Sequence, residues 1–284
     1  MSAALDAVRR SSNATRLTSY GAAEGGVIQV ETGSHVKLTG GSAVVGVGRR
    51  LVGEKLEGLA GAFIELGASR NKTFNDNAGF EQHGKGDATF IGGGILGRIE
   101  GKGGFYGEGS LRLGRMDADW SGNFIWAGQP WRDGYDVESS YYGAHAGLGY
   151  LMSLAENLSL DLYGRVLWSR LEGKDMVLHR MPDPYSLKDV DSLRSRLGFT
   201  LTRSLSERFS AYAGGAWEHE FDGEAGALTY QILEVPAASF EGDTGVIDAG
   251  LIWQFGPFST RAGLSGYLGT RRGVSGNLMF QYEF

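Results

Sequence analysis

Twelve stretches of this chain alternate apolar and polar residues with a period of two, and that repetition constrains the fold more than any other feature. They run over residues 26–38, 41–51, 59–67, 87–97, 104–116, 138–151, 159–171, 190–203, 209–221, 242–255, 258–269 and 274–284. Such a period belongs to strands whose two faces meet different surroundings. Most stretches are close to the ~9–11 residues that a tilted strand needs to cross a bilayer.

Charge follows the same parity. Glu108 and Arg112 share a face opposite Phe105, Leu111 and Leu113, and Asp161 and Arg165 oppose Leu160, Leu162 and Val166. Arg194 and Arg196 oppose Leu193 and Leu197, and Asp248 opposes Ile247 and Leu251. With Glu218, Glu220 and Arg261 these residues form the candidate lining of a polar lumen. The charges of oily parity, Arg115, Arg170 and Arg203, fall at strand ends. A charge on the lipid face costs ~2–4 kcal/mol at mid-bilayer but only ~0–1 at the interface. A soluble antiparallel sheet also alternates, yet it has no reason to confine its outward charges in this way.

The connections are sorted by length. Residues 52–58, 98–103, 152–158, 204–208 and 256–257 are short, whereas 68–86, 117–137, 172–189 and 222–241 are long and polar. Short turns on one side and long loops on the other suit a membrane barrel. Two hairpins, at 39–40 and 270–273, depart from this by being short on the long-loop side. The expected fold is all-β: one 12-stranded antiparallel transmembrane barrel over 26–284, with 1–25 as a helical linker or pore plug.

Composition agrees. Glycine makes up 47 of 284 residues, more than twice the usual share of roughly 7%, which suits closely approaching, curved strands. Proline is only 5 and cysteine is absent, so disulfides, thiolate metal sites and cysteine nucleophiles are ruled out together. A net charge of −6 gives no nucleic-acid footprint. No stretch approaches 18 apolar residues, so transmembrane helices are not expected.

The final strand ends on a free aromatic residue, with Leu278, Phe280, Tyr282 and Phe284 on one parity. Outer-membrane β-barrels of Gram-negative bacteria end in this way. The resemblance implies an assembly signal, read by the barrel-assembly machinery, and outer-membrane lipids as surroundings. The start of the chain, MSAALDAVRRSSNATRL, lacks the apolar core of a signal peptide. The expectation is therefore an excised domain or fragment. Residues 3–17 favour a helix through Ala and Leu, and its cations Arg9, Arg10 and Arg16 would find acidic partners in the lumen. A frayed terminus is the alternative.

A short helix, twelve strands, a C-terminal Phe and no cysteine together resemble the translocator domain of the autotransporters. That resemblance implies a barrel that passes or anchors an N-terminal passenger at the cell surface. The self-cleaving subgroup carries an Asn-Asn pair in the helix. This chain has only Asn13 there, which speaks against autoproteolysis.

Bond chemistry finds little support. His35, His83, His145, His179 and His219 lack metal-ligand spacing, and no cofactor is expected. A rim hydrolase would need a nucleophile in reach of a histidine. Asp117, Asp119, Asp133, Asp136, His179 and Asp183 are the residues that could assemble there. The remaining alternative is a pore or adhesion barrel without a passenger.

Overall fold

The computed structural model describes residues 17–32, 34–53, 56–75, 82–126, 129–180, 184–230 and 233–284. Sixteen strands follow in order: β1 Leu17–Glu31, β2 His35–Val52, β3 Leu56–Asn75, β4 Gln82–Gly101, β5 Phe105–Trp126, β6 Gln129–Ala155, β7 Leu158–Leu171, β8 Asp175–Val177, β9 Pro184–Leu187, β10 Val190–Ser204, β11 Phe209–Glu220, β12 Glu224–Thr229, β13 Leu233–Ser239, β14 Gly242–Phe255, β15 Phe258–Gly269 and β16 Arg271–Glu283. Twelve of them close into an antiparallel barrel, with β1 paired to β2 on one side and to β16 on the other. The other four form a separate sheet in the order β13-β12-β9-β8.

The polarity of this molecule is inside out. Ile64 on β3 is 62% exposed while its neighbour Glu65 is 5% exposed. On β7, Val166 is 48% exposed beside Arg165 at 9%. Leu148 and Leu264 stand on the outer wall at 74% and 71%. In water such a continuous apolar surface would be a severe aggregation liability, whereas against lipid tails it is the required surface.

Many of the glycines are explained by the inner wall. Inward aromatics lie flat over glycines of adjacent strands, so Tyr20 covers Gly46, Phe63 covers Gly94 and Tyr106 covers Gly149. A Cβ at Gly46 would sit 2.4 Å from the Tyr20 hydroxyl, so only glycine admits the ring. Tyr20, Leu59, Phe63, Leu96 and Met279 form an apolar cluster within the barrel near its short-turn end.

Three boundaries expected from the sequence change. The barrel begins at Leu17, so the boundary between residues 25 and 26 falls inside β1. The chain turns between Glu31 and His35, which face each other, and not at 39–40. Gly40 and Gly41 lie instead within β2, where each packs against neighbouring backbone. The second outer hairpin is tighter than 270–273, since β16 starts at Arg271. The helix expected over 3–17, with Arg9, Arg10 and Arg16, lies outside the described residues except for Leu17, which is in β1.

The long connections are largely β-structure. The β3–β4 ladder continues to Asn75 opposite Gln82, and the β5–β6 ladder to Trp126 opposite Gln129. Residues 172–189 and 222–241 supply the four-stranded sheet. A strap at Leu178–Arg180 ties this region to β6: the His179 backbone N–H donates to the Gly134 carbonyl at 3.0 Å, and that of Arg180 to Asp133 at 3.0 Å.

Candidate functional site: the charged lumen and the closing seam

Clusters of inward charges line the barrel. In the first, the Glu108 carboxylate on β5 is enclosed by Arg98 from β4 at 3.0 Å and Arg165 from β7 at 2.8 Å. His145 from β6 stands 3.7 Å away. Arg98 also reaches Glu100 at 3.2 Å and lies 3.5 Å over the Tyr106 ring, whose hydroxyl donates to Asp161 at 3.0 Å. Two guanidinium groups on one buried carboxylate satisfy the rule that buried charge must be paired.

The second cluster centres on Glu65 of β3. It accepts the Tyr141 hydroxyl at 2.7 Å and Arg112 at 3.5 Å. The third lies towards the long-hairpin mouth. There Glu218 is bridged by Arg196 at 3.4 Å and by Arg271. Glu220 is held by Arg194 at 3.0 Å and by the Ser192 hydroxyl at 2.8 Å. Of the other predicted lumen residues, Arg261 stacks 3.8 Å over the Tyr212 ring and Asp248 packs against Gly214. A polar cavity of about 400 Å³ opens at the short-turn end, lined by residues that include Arg50, Glu100, Asp161, Thr200 and Arg261.

The barrel is closed by its two terminal strands. The β1–β16 register runs from Val30 opposite Arg271 to Thr18 opposite Glu283. It ends with the Phe284 N–H donating to the Leu17 carbonyl at 3.0 Å. Phe284 is 61% exposed and meets the Tyr282 ring edge-on at 4.9 Å. Leu278 and Phe280 share this outward face, while Met279 and Gln281 point inward and are buried.

A family model described as the autotransporter β-domain matches residues 21–265. This chain belongs to the autotransporter β-domain family. The translocator domain of the autotransporter NalP from Neisseria meningitidis superposes with a TM-score of 0.70 at 19% identity, covering 99% of this chain and 94% of that one. The β-domain of the Bordetella autotransporter BrkA gives 0.69 at 16%, covering 94% and 98%. The transport unit of AIDA-I from Escherichia coli gives 0.64 at 14%, covering 98% and 92%. At these identities the superpositions establish the shared fold. Sequence comparison with curated proteins gives no match. The autotransporter β-domain is a barrel of the Gram-negative outer membrane.

Within this β-domain, parity reasoning placed Glu108, Arg165, Arg194, Arg196, Glu218 and Glu220 on the polar face, and the structure brings them together in pairs. It missed Glu65, Arg98 and Arg271, which complete those clusters. Glu65 and Arg98 have the inward parity of β3 and β4, so extending the same test to those strands would have found them. Arg271 was hidden by the misplaced hairpin at 270–273.

The rim residues assemble only in part. His179 meets Asp136 at 3.0 Å, while Asp133 accepts the N–H groups of Gly134 and Arg180 and so holds a turn. Asp183 lies outside the described residues. Among the described residues, no hydroxyl is in hydrogen-bond reach of the His179 ring.

Proposed function

We infer that this β-domain is the outer-membrane translocator of a surface passenger that precedes it in the chain. The observation that carries the reading is the family match over residues 21–265, which spans most of the closed 12-stranded wall. Its wall presents lipid-compatible residues outward and paired charges inward. The charged lumen keeps the interior hydrated, so a polypeptide in transit exchanges hydrogen bonds with water and not with lipid. Leu278, Phe280, Tyr282 and Phe284 serve insertion by the barrel-assembly machinery and close the wall against β1. Residues 1–16, with Arg9, Arg10 and Arg16, connect the passenger through the pore.

The test is surface display. A secretory signal and a folded-state-neutral reporter are fused before Met1, and intact cells are treated with protease. Cleavage of the reporter while the barrel remains membrane-embedded is expected. A reporter that stays protected in the periplasm beside a correctly folded barrel would overturn the reading.

A further inference from the structure

Cations on the outer wall are not spread evenly. Lys37 on β2 is the direct cross-strand partner of Lys72 on β3, and Lys72 is the direct partner of Lys85 on β4. On the other side of Lys37 the same row continues through Gln29 of β1 to Arg272 of β16. Lys37, Lys72, Lys85 and Arg272 are all exposed on the outward face. Adjacent strands lie about 4.8 Å apart, so the three lysines occupy a strip about 10 Å wide.

Like charges placed directly opposite one another weaken a sheet, so this arrangement costs stability unless an anion compensates it. Among the described residues, none of the three lysines has a carboxylate within salt-bridge distance. Among the described residues the nearby acids have other partners, since Asp87 is bound by Arg70 at 3.0 Å and Glu31 accepts from Gln29 at 3.1 Å. Lys37 also sits 5.3 Å over the Phe74 ring, which fixes its head on the outer surface. On β5 and β6 the sign reverses, because Asp87 faces Asp119, and Asp119 faces Asp136. The run of directly opposed cations therefore lies on β2, β3 and β4, with Arg272 of β16 beyond Gln29, in a chain whose net charge is −6.

Its height is set by the strands. The outward residues of β3 read Ile64, Leu66, Ala68, Arg70, Lys72, and those of β4 read Ile95, Gly93, Ile91, Thr89, Asp87, Lys85. The lysines thus stand four residues beyond the end of the apolar band at Ala68 and Thr89, about 9 Å higher along the normal for a strand tilted ~45°. This is the side of the long hairpins, which faces the cell exterior in an outer-membrane barrel.

We propose that this row binds the headgroup phosphates of the outer leaflet's phosphorylated glycolipid, lipopolysaccharide, whose acyl chains lie on the apolar wall beneath it. Lysine heads meet the phosphates while their stems extend along the rim. The proposal rests on the outer-membrane assignment but is independent of translocation.

The test uses the full chain, purified in a zwitterionic detergent and titrated with rough lipopolysaccharide, with binding read by native mass spectrometry and by the unfolding midpoint. The comparison is with the triple variant Lys37→Gln, Lys72→Gln, Lys85→Gln. Each lysine near an anionic surface contributes roughly fivefold, so the triple variant is expected to bind on the order of a hundredfold more weakly. In detergent alone the same variant should unfold at or above the wild-type midpoint, because the repulsion has been removed. That readout separates a lost site from a lost fold. Lys102→Gln, in the turn after β4 on the opposite side of the membrane, should bind as wild type does.

Equal affinity of the triple variant would overturn the proposal. So would equal weakening by Lys102→Gln, which would assign the effect to net charge, or undiminished binding of dephosphorylated lipopolysaccharide. Inorganic phosphate competing at the lipid's own concentration would assign the row to free anions and overturn the lipid site. Membrane fractionation of the wild type tests the underlying assignment separately.

Discussion

Arg98 and Glu108 are direct cross-strand partners of β4 and β5, joined at 3.0 Å with side chains 3% and 0% exposed. Glu108→Leu would remove the carboxylate that Arg98 and Arg165 share while both guanidinium groups stay buried. Breaking a buried pair from one side costs about 3 kcal/mol or more. The variant should therefore unfold at distinctly lower urea than wild type in matched detergent. Asp87→Asn, which breaks the exposed pair with Arg70, should cost under ~1 kcal/mol. Equal effects from the two would show that the lumen pair is as well hydrated as the surface one.

Phe284 acts at the seam through its backbone and ring together, since its N–H closes onto Leu17 and its ring caps Tyr282. Deleting Phe284, or replacing it with Lys, should reduce the heat-modifiable folded fraction in outer-membrane preparations. Wild-type levels of both variants would remove Phe284 from assembly.

The seam is also intolerant of bulk at one point. A Cβ on Gly26 would fall 2.5 Å from the Val274 carbonyl oxygen and 2.8 Å from the Ser275 Cβ. Gly26→Val should therefore lower the yield of closed barrel, whereas Gly103→Ala, with nothing within 4 Å, should not. Comparing the two on semi-native gels checks whether close approach of β1 and β16 is what the glycine serves.

Deletion mapping distinguishes connector from wall. Removing residues 2–16 should keep the barrel folded and raise its single-channel conductance. Extending the deletion through Gly25 removes β1 pairing to both β2 and β16 and should abolish folding. Unchanged conductance in the shorter deletion would deny the N-terminal segment any role in the pore.

The sequence was informative where one strand face meets lipid and the other meets the polar interior. That contrast made Arg165 and Val166, or Ile247 and Asp248, easy to sort, and it gave twelve strands with the right alternation of connections. Above the bilayer both faces are polar, so residues 68–75 and 117–126 lose the two-residue period while their hydrogen-bonded ladders continue. The start of the barrel failed for a different reason. The outward positions of early β1 include Gly21, Ala23 and Gly25, too small to register as an oily face, and Gly40 and Gly41 imitate a turn. Both glycines are in fact tightly packed, with a Cβ on Gly40 falling 2.6 Å from the Ala68 carbonyl oxygen. Pairing within the lumen was beyond the sequence, because which inward arginine meets which glutamate depends on strand register.

Because β1 pairs with β16, Glu24 reaches the Ser275 hydroxyl at 3.0 Å across 251 positions of chain. The barrel strand made last is thus the one that seals the first. Until then the growing sheet has two unsatisfied edges, a state prone to mispairing. Completion of the cylinder therefore waits on β16, and every earlier strand of the wall must be kept from mispairing until that strand has been made.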